Sequence, residues 1–376
     1  MAFAHCQYVI TASVGDTTLL YITCLSSIII HKNNKPHLLM KLNIIAYSLA
    51  AMLFVGCSKR EGSTKIVEAF PETATIRCSN KMAIDSVLLS YPVMKVDGDY
   101  CCIADMGSRS EFFYIFSYPS MKFVKSFGTL GNASNEISGL TAFDFRDGRV
   151  SALCHTDRTI KIFDIDSPDI PQVIRIKHDE NYNAVCDGRD STYYLYAMNG
   201  DNRIVRVGSD GQVISAGLKS ETLKKEYPTM TSNYIWQGFI RKKDDKIAVP
   251  CVAGDVIDIT DSSFASNIRV VGKLGLPHVE EKVTDAYTSY MLHYHTYSDL
   301  VFGENLYALF LCYDMANYPK GEHLKSVRVF DYDGNPVKEL IMEDDPEATS
   351  FYVDEDRKRM YVAVSDSEEQ IWVYEL

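Results

Sequence analysis

The feature that most constrains the fold is a repeated unit whose last copy is one strand short. Residues 349–376 contain three strand-like segments joined by tight turns, TSFYVD, RKRMYVAVS and QIWVYEL. Similar units occur five more times upstream, and each of those is followed by a candidate fourth strand. Because such units bury a continuous core only by packing against one another, the incomplete last unit must take its missing strand from the other end of the chain.

The second strand of each unit is the clearest copy of the repeat. Each follows a polar turn, and acid–glycine pairs such as Asp97-Gly98 supply the positive φ that a tight hairpin needs. In third strands such as TIKIFD, apolar and polar residues alternate, which indicates strands rather than helices. The six second strands are DYCCIAD (99–105), GRVSALC (148–154), TYYLYAM (192–198), KIAVPC (246–251), NLYALFLC (305–312) and RMYVAVS (359–365).

Six units of about 50 residues each predict an all-β fold, a six-bladed β-propeller of four-stranded antiparallel blades. Its last blade would be closed by an N-terminal strand, which removes the exposed edges that free sheets would present. Residues 65–77, KIVEAFPETATIR, contain strand-like sequence ahead of the first blade, and we expect them to pair beside residues 370–376. The propeller domain then spans residues 65–376, with insertions at 219–232 and 273–296.

The segment before the repeats is typical of an exported protein. Residues 42–56 are uncharged, follow Lys41 and precede Cys57, and a run of that length suits a signal peptide better than a spanning helix. The sequence FVGC at 54–57 resembles a bacterial lipoprotein signal, with phenylalanine where leucine is usual. The resemblance implies cleavage before Cys57 and acylation of that residue. The alternative is an uncleaved membrane anchor.

This interpretation divides the N-terminal region into three parts. Residues 40–56 are the predicted signal peptide, and residues 57–64 are a short polar tether between membrane and domain. Residues 1–39 are either an artefact of an upstream start site or an extra hydrophobic segment. The expected location is the bacterial cell envelope, lipid-anchored in the outer membrane and facing the periplasm, because residues 58–61 lack a strong acidic run. The cell surface is the other option.

The signal, the repeat spacing and the units themselves resemble the TolB-like six-bladed β-propeller lipoproteins of Bacteroidetes. The units that carry the resemblance include SVRVFDYDGNPVKEL and TSFYVDEDRKRMYVAVSDSEEQIWVYEL. The resemblance covers nearly all of residues 65–376. It implies the fold, but its motifs are structural and it carries over no catalytic residue.

The insertion at 273–296 carries aromatic residues at a helical spacing. Val279, Val283, Tyr287, Tyr290 and Tyr294 recur at intervals of three and four, which predicts one apolar face of a helix of about four turns. Its three tyrosines either pack on the blade edges or line a binding pocket near the channel mouth, where aromatic rings suit sugars or peptides.

Five further residues are candidate ligand contacts. His293 and His295 flank Tyr294, with Asp299 close behind, but a pair at i and i+2 suits a strand face, and we expect no metal or other cofactor. His155 and Asp105 stand at the ends of second strands, where a hairpin can point toward a pocket.

The composition limits the class of partner. The net charge of −12 argues against nucleic acid, which needs a basic surface to neutralise phosphates. The basic cluster at 241–243 is followed at once by Asp244 and Asp245, and we interpret it as a solvated turn. The sequence contains none of the GxSxG, HExxH, Walker or GxGxxG motifs.

The predicted function is therefore a membrane-anchored binding or scaffold module of the bacterial cell envelope. Its partner would be a glycan, a peptide or an envelope protein, in addition to the membrane reached through the lipid on Cys57. The alternative is a propeller hydrolase or lyase with a site at the channel mouth that acts on a glycan or peptide. Catalytic groups in propellers come from separate blades, so the absence of a local motif leaves this alternative open.

Overall fold

The computed structural model describes residues 62–84, 89–108, 110–219, 238–283, 288–315, 325–365 and 367–376. These residues belong to the second of the chain's two structural units, which spans residues 60–376. All regular structure within them is β, in six radial sheets and one separate hairpin. The described residues contain no helix long and apolar enough to cross a membrane.

The chain enters through three short strands and then builds the first three blades in order. The entering strands are β1 (Ser63–Ile66), β2 (Thr73–Ile76) and β3 (Cys78–Met82). Blade 1 consists of β4 (Pro92–Asp97), β5 (Tyr100–Asp105), β6 (Glu111–Ser117) and β7 (Lys122–Thr129). Blade 2 consists of β8 (Leu140–Arg146), β9 (Arg149–Cys154), β10 (Thr159–Asp164) and β11 (Gln172–Arg175). Blade 3 consists of β12 (Tyr182–Asp187), β13 (Thr192–Ala197), β14 (Asn202–Gly208) and β15 (Val213–Lys219).

The second half of the ring follows the same plan with one interruption. Blade 4 contains β16 (Arg241–Lys243), β17 (Lys246–Cys251), β18 (Val256–Asp261) and β19 (Asn267–Val271). A separate hairpin follows, β20 (Val279–Val283) and β21 (Thr288–Leu292). Blade 5 contains β22 (Tyr294–Phe302), β23 (Leu306–Asp314), β24 (Ser326–Phe330) and β25 (Pro336–Met342). Blade 6 contains β26 (Ala348–Asp354), β27 (Arg359–Val364) and β28 (Ile371–Glu375).

The first strands of successive blades contact one another all the way round, which makes the six sheets a closed ring. The second strands lie between two neighbouring blades and are buried on both faces, as in β13, where all six residues are buried. Aromatic side chains fill the space between blades. Phe113 of blade 1 lies 5.5 Å from Phe143 of blade 2 and 6.1 Å from Phe163, measured between ring centroids. Each such buried side chain contributes about 1.5–3 kcal/mol, so these layers hold neighbouring blades together.

Closure of blade 6 by an N-terminal strand is confirmed, but the predicted residue range is wrong. The strand that pairs with β28 is β3, antiparallel, with Ile371 opposite Met82 and Val373 opposite Asn80. Residues 65–77 all precede β3. There, β1 runs parallel to β19 and β2 runs parallel to β25, so blades 4 and 5 each gain a fifth, outer strand.

The reason for the shift is that the entering segment spans three blades before it closes the ring. Val67 and Ile76 are buried against blades 4 and 5, which fixes β1 and β2 on those blades. Pro71 lies in the connection between β1 and β2, where it has no ladder hydrogen bond to lose. The described chain therefore begins at the outer edge of blade 4, whereas the closure seam lies at blade 6.

The helix predicted in the second insertion is wrong, because the structure forms the β20–β21 hairpin there. Val279 pairs with Leu292, and Val283 pairs with Thr288, across the unassigned residues 284–287. Val, Thr and Tyr are strand formers, and this propensity favours the hairpin over the helix that the spacing predicted. The first insertion, apart from Lys219 at the end of β15, lies outside the described residues.

Candidate functional site

The first strands of the six blades line a central channel that contains two cavities. One cavity, of about 240 Å³, lies at the end where the chain enters each first strand, and we call it the entry-side cavity. The other, of about 300 Å³, lies at the end where hairpins join first to second strands, and we call it the hairpin-side cavity. The β20–β21 hairpin leads directly into the start of β22, so it belongs to the entry side. The ring thus has two chemically distinct mouths.

β-Bulges at the start of four first strands shape the entry-side cavity. In blades 2, 3 and 6 the pairing of first with second strand slips by one residue near the strand start, and in blade 5 it is irregular at two places within β22. A bulge leaves one residue unpaired and re-aims its side chain. One polar extra residue from each of these strands lines the cavity: Thr141, Asn183, Ser298 and Thr349. The second irregular position in β22, Thr296, does not line it.

Two of these four side chains already form hydrogen bonds to backbone carbonyl oxygens of the ring. The Ser298 hydroxyl donates to the carbonyl oxygen of Thr349 at 2.9 Å, and the Thr349 hydroxyl shares its one proton between the carbonyl oxygens of Pro92 and Ala363. These bonds tie blades 5, 6 and 1 together at the channel. They fix part of the cavity rim before any ligand arrives.

Asn183 differs from the other bulge residues. Its side-chain oxygen Oδ1 is buried and has no hydrogen-bond partner among the described residues. A buried polar atom without a partner costs about 1–3 kcal/mol, so such an atom in a cavity wall points to something that donates to it. The carboxamide is therefore the strongest single mark of a binding site in the entry-side cavity.

The remaining walls of this cavity are mainly apolar and aromatic. Tyr91, Phe143 and Phe239 contribute rings, and Val93 and Val185 contribute aliphatic surface. Tyr91 is 47% exposed, although burial of its hydroxyl and the Asp299 carboxylate both raise the pKa of the phenol. Walls of this kind suit the flat faces of sugars or the side chains of peptides.

Charged side chains form a waist between the two cavities. Lys95, Arg241 and Asp299 line both of them. The Arg241 guanidinium pairs with the Asp299 carboxylate and also donates from Nε to the carbonyl oxygen of Leu300 at 3.0 Å. The Lys95 ammonium lies 3.7 Å from the carboxylate of Asp144. Blades 1, 2, 4 and 5 thus each place one charge at the centre of the ring.

Burial changes the proton affinity of the waist lysine. Desolvation lowers the pKa of the Lys95 ammonium, and the nearby Arg241 guanidinium lowers it further, against the opposing effect of Asp144 and Asp299. A lysine with a depressed pKa can exchange a proton closer to neutral pH than a solvated one. The waist thus combines two cations, Lys95 and Arg241, with two carboxylates, Asp144 and Asp299.

The residues selected from the sequence fall into different places. Asp299 is buried in the waist, where its carboxylate also accepts from the backbone of Leu300 at 2.8 Å. Asp105 holds a loop together, because its carboxylate accepts from Ser90 Oγ at 2.8 Å and from the Tyr91 amide at 3.0 Å. His155 is exposed on the turn after β9.

The aromatic cluster at the start of β22 lies on the entry side. The rings of His293 and Tyr294 are 4.4 Å apart, and His295 lies 6.2 Å from Tyr313. Burial lowers the pKa of His295, which keeps that imidazole neutral at pH 7. Among the described residues no group of three or more His, Cys, Asp or Glu side chains is arranged to hold a metal ion.

Three selected residues lie outside what the structure describes. Tyr287 and Cys57 lie outside the described residues. For Tyr290 the structure describes the backbone, in β21, but not the side chain. The role of each therefore stays a prediction.

Sequence reasoning missed Lys95, Asn183 and Arg241, since each comes from a different blade. Arg241 belongs to β16 and lines the channel, so the interpretation of residues 241–243 as a solvated turn is wrong.

Comparison with known proteins identifies relatives by fold. The model of the family described as TolB-like 6-blade propeller-like matches residues 69–356. A solved structure of a protein described as exported, from Bacteroides fragilis, is similar at 10% identity and TM-score 0.51, covering 83% of this chain and 97% of that one. A member of the DUF4221 family from Bacteroides vulgatus is similar at 9% identity and TM-score 0.52, covering 80% and 96%. No curated protein matches the sequence significantly.

Proposed function

The chain belongs to the TolB-like family of six-bladed propellers, and we propose that it is a ligand-binding module of the bacterial cell envelope. The signal-like segment at 40–56 and the lipoprotein-like sequence that ends in Cys57 support export and attachment by lipid. A multiply acylated terminus anchors a protein stably, whereas one chain alone is marginal. The protein then acts at a membrane surface, in the outer membrane facing the periplasm.

The ligand enters the entry-side cavity. The observation that carries this proposal is the buried, unpartnered Oδ1 of Asn183 in the cavity wall. A ligand that offers a hydroxyl or amide N–H to this oxygen removes the cost of leaving it unpaired. Asn183 stands on a bulge of β12, so the backbone aims its side chain away from the sheet ladder.

The remaining cavity wall defines the ligand class. Phe143 and Phe239 offer apolar and aromatic surface, while Lys95 and Arg241 offer charge at the waist. A cavity of about 240 Å³ is below the range of roughly 300–1,000 Å³ typical of drug-sized ligands. It therefore suits one sugar unit or one or two residues of a peptide, with the rest of a longer molecule outside. Tyr294, at the start of β22 on the entry side, would contact that outer part.

A hydrolase or lyase is the second candidate function, and Lys95 is the observation that favours it. A buried lysine with a lowered pKa is the type of group that removes a proton from a substrate near neutral pH. Lys95 lines the same cavity as Asn183. Turnover of the ligand, rather than its release unchanged, would support this candidate.

The test uses the mature protein that starts at Cys57, purified in detergent and screened against glycans and peptides by thermal shift. Binding to the folded state raises the melting temperature, and the stabilisation grows with the logarithm of the ratio of ligand concentration to Kd. For the best ligand, Asn183→Ala should weaken binding by about fivefold to tenfold, the value of one hydrogen bond. The unliganded variant should melt at the wild-type temperature or above it, because the oxygen that is removed is buried and had no partner.

Asn181→Ala is the matched control. Asn181 is exposed two residues earlier, just before β12, and it does not line either cavity. This variant should bind like the wild type. A screen with no stabilising glycan or peptide, or equal affinity for wild type and Asn183→Ala, would overturn the proposed site. Recovery of a stable, stoichiometric protein companion from membranes would instead support a scaffold role.

A further inference from the structure

We infer that the hairpin-side cavity is a second binding site, which takes a small anion carrying two or more phosphate or carboxylate groups. This cavity lies at the opposite mouth of the channel from Asn183 and is lined by the ends of the first strands of all six blades. Its volume is about 300 Å³. The inference does not depend on the proposed function, because its rim residues, Arg146, Arg189, Lys242 and Lys243, do not line the entry-side cavity.

The charge of the cavity wall opposes the charge of the chain. The chain carries a net charge of −12. The wall nevertheless has six cationic side chains and four carboxylates, so cations exceed carboxylates by two. The cationic residues are Lys95, Arg146, Arg189, Arg241, Lys242 and Lys243, and the acidic residues are Asp97, Asp144, Asp244 and Asp299.

Three of the four carboxylates are occupied by other groups. Asp299 pairs with Arg241 in the waist. Asp144 accepts from the Asp187 amide at 2.9 Å, in addition to its contact with Lys95. Asp97 accepts from the backbone amide of the next blade's hairpin, at Asp147, at 2.6 Å. These contacts position the acids, and the wall keeps its surplus of two cations.

The cations at the rim are held by carbonyl oxygens instead of carboxylates. The Arg146 guanidinium donates to the carbonyl oxygens of Asp187 at 2.8 Å and of Lys242 at 2.9 Å. The Lys242 ammonium donates to the carbonyl oxygen of Asp244, and the Lys243 ammonium donates to that of Gly303, each at 2.5 Å. A carbonyl oxygen orients a cation without cancelling its charge. The field of these side chains in the cavity is therefore positive.

Arg189 adds a fourth rim cation in an unusual backbone conformation. Its φ is 68°, in the left-handed region that non-glycine residues adopt at a cost of roughly 1 kcal/mol or more. Arg189 is exposed, lines the cavity and makes no ion pair among the described residues. Strain of this kind is often retained where it presents a side chain to a ligand.

These features select the ligand chemistry. Guanidinium groups bind phosphate and carboxylate through paired hydrogen bonds, and ammonium groups add point charges. Arg146, Arg189, Lys242 and Lys243 come from blades 2, 3 and 4, so an anion with several charged groups can contact them together. Phe302 and Tyr352 on the other side of the cavity leave apolar surface for an organic body.

The experiment measures binding of pyrophosphate and of citrate to the mature protein by titration calorimetry, at low and at physiological salt. At least one of them should bind, and more weakly as salt rises. The choice between the two distinguishes a phosphate-bearing from a carboxylate-bearing ligand. The double variant Arg189→Gln/Lys243→Gln should weaken binding by roughly tenfold or more, since it removes two exposed charges at the rim.

A second double variant controls for net charge. Arg175→Gln/Lys177→Gln also removes one arginine and one lysine, both exposed and at the outer edge of blade 2. It should bind like the wild type. Failure of both anions to bind wild-type protein, an unchanged affinity in the rim variant, or an equal loss in the two double variants would each overturn the inference. Loss of anion binding in Asn183→Ala would also overturn it, by showing one site instead of two.

Discussion

Arg203 and Asp258 form an ion pair between blades 3 and 4 in which both side chains are almost completely buried, at 1% and 0% exposure. Arg269 of β19 joins the same carboxylate through two bonds of 2.9 and 3.1 Å. Burial alone would disfavour the ionised carboxylate, but the two guanidinium groups outweigh that effect and hold the pKa of Asp258 below its ordinary value. One aspartate therefore neutralises charge from two blades.

Asp258→Asn should destabilise the protein by about 3–5 kcal/mol, because it leaves a buried arginine without its counter-charge. Urea unfolding followed by circular dichroism measures the loss. Asp169→Asn, on an exposed turn of blade 2, should change stability by no more than about 0.5 kcal/mol. A loss below about 1 kcal/mol for Asp258→Asn would show that the pair contributes little.

The same pair predicts the direction of an acid effect. A carboxylate whose folded-state pKa lies below its unfolded value contributes stability that is present above the unfolded pKa, about 4 for aspartate. That contribution is lost as pH falls below about 4, when the unfolded state takes up the proton first. Asp258→Asn lacks this group, so its stability should fall less steeply than that of the wild type between about pH 5 and about pH 3.

Two truncations separate the closing strand from the outer strands. A chain that begins at Cys78 keeps β3 but loses β1 and β2, and with them the buried side chains of Val67 and Ile76. At about 1.5–3 kcal/mol for each buried aliphatic side chain, it should fold but lose roughly 3–6 kcal/mol. A chain that begins at Ala83 also loses β3, leaving β28 as an open edge and blade 6 with three strands.

Thermal unfolding and size-exclusion chromatography compare the two truncated chains with one that begins at Ser58. The chain from Cys78 should melt cooperatively at a lower temperature and remain monodisperse. The chain from Ala83 should aggregate or melt without a cooperative transition, because an open edge strand recruits other chains. Equal behaviour of the two truncations would contradict the assignment of β3 as the closing strand.

The repeat made the ring and its closure predictable, because blade number follows from the count of units. The exact closing residues were not predictable from strand propensity. Residues 63–66, 73–76 and 78–82 are all strand-like, and only packing on three different blades distinguishes them. The outer strands β1 and β2 run parallel to their neighbours, and the turn motifs that predict antiparallel hairpins do not predict such pairing.

The candidate site was less predictable, because its residues share no local pattern. Lys95, Asn183 and Arg241 are far apart in sequence and meet only because successive first strands line one channel. The bulge that exposes Asn183 is a one-residue slip in pairing, and a period-two pattern does not reveal it. Residues 241–243 form a strand, but their charge and the acids Asp244 and Asp245 that follow led us to interpret them as a solvated turn.

Alkaline conditions should destabilise the ring through its buried thiols. Burial raises the pKa of the Cys251 thiol to about 12, against an unfolded value near 9. A group with a raised folded-state pKa contributes stability that is complete below the unfolded pKa and is lost as pH rises through the folded one. The window for Cys251 therefore runs from about pH 9 to about pH 12.

Cys251→Ala removes that titration. Between about pH 8 and about pH 10.5 the wild type should lose about 2 kcal/mol more stability than this variant, as measured by urea unfolding. Val249→Ala, buried on the same strand but without a titrating group, should retain the steeper pH dependence of the wild type. Parallel curves for wild type and Cys251→Ala would contradict the protonated, buried state of this thiol.

Asp105 should act on the entry-side cavity through the loop that it holds. Its carboxylate accepts four hydrogen bonds, from Ser90 Oγ and from the amides of Ser90, Tyr91 and Gly107. Tyr91 lines the cavity, so the loop sets the position of one wall. Asp105→Ala leaves these donors without their acceptor and should cost about 1–3 kcal/mol.

Measuring both the free energy of unfolding and the ligand affinity tests whether Asp105 acts by positioning the loop. Asp105→Ala should lower both, because the wall moves when the loop loosens, whereas Asn183→Ala should lower affinity alone. Asp99→Ala is the control, since Asp99 is exposed in the turn at the opposite end of the same hairpin. If Asp105→Ala keeps wild-type stability and loses only affinity, the carboxylate contacts ligand directly. Asp105 would then be a ligand residue, and the loop would be held by its backbone.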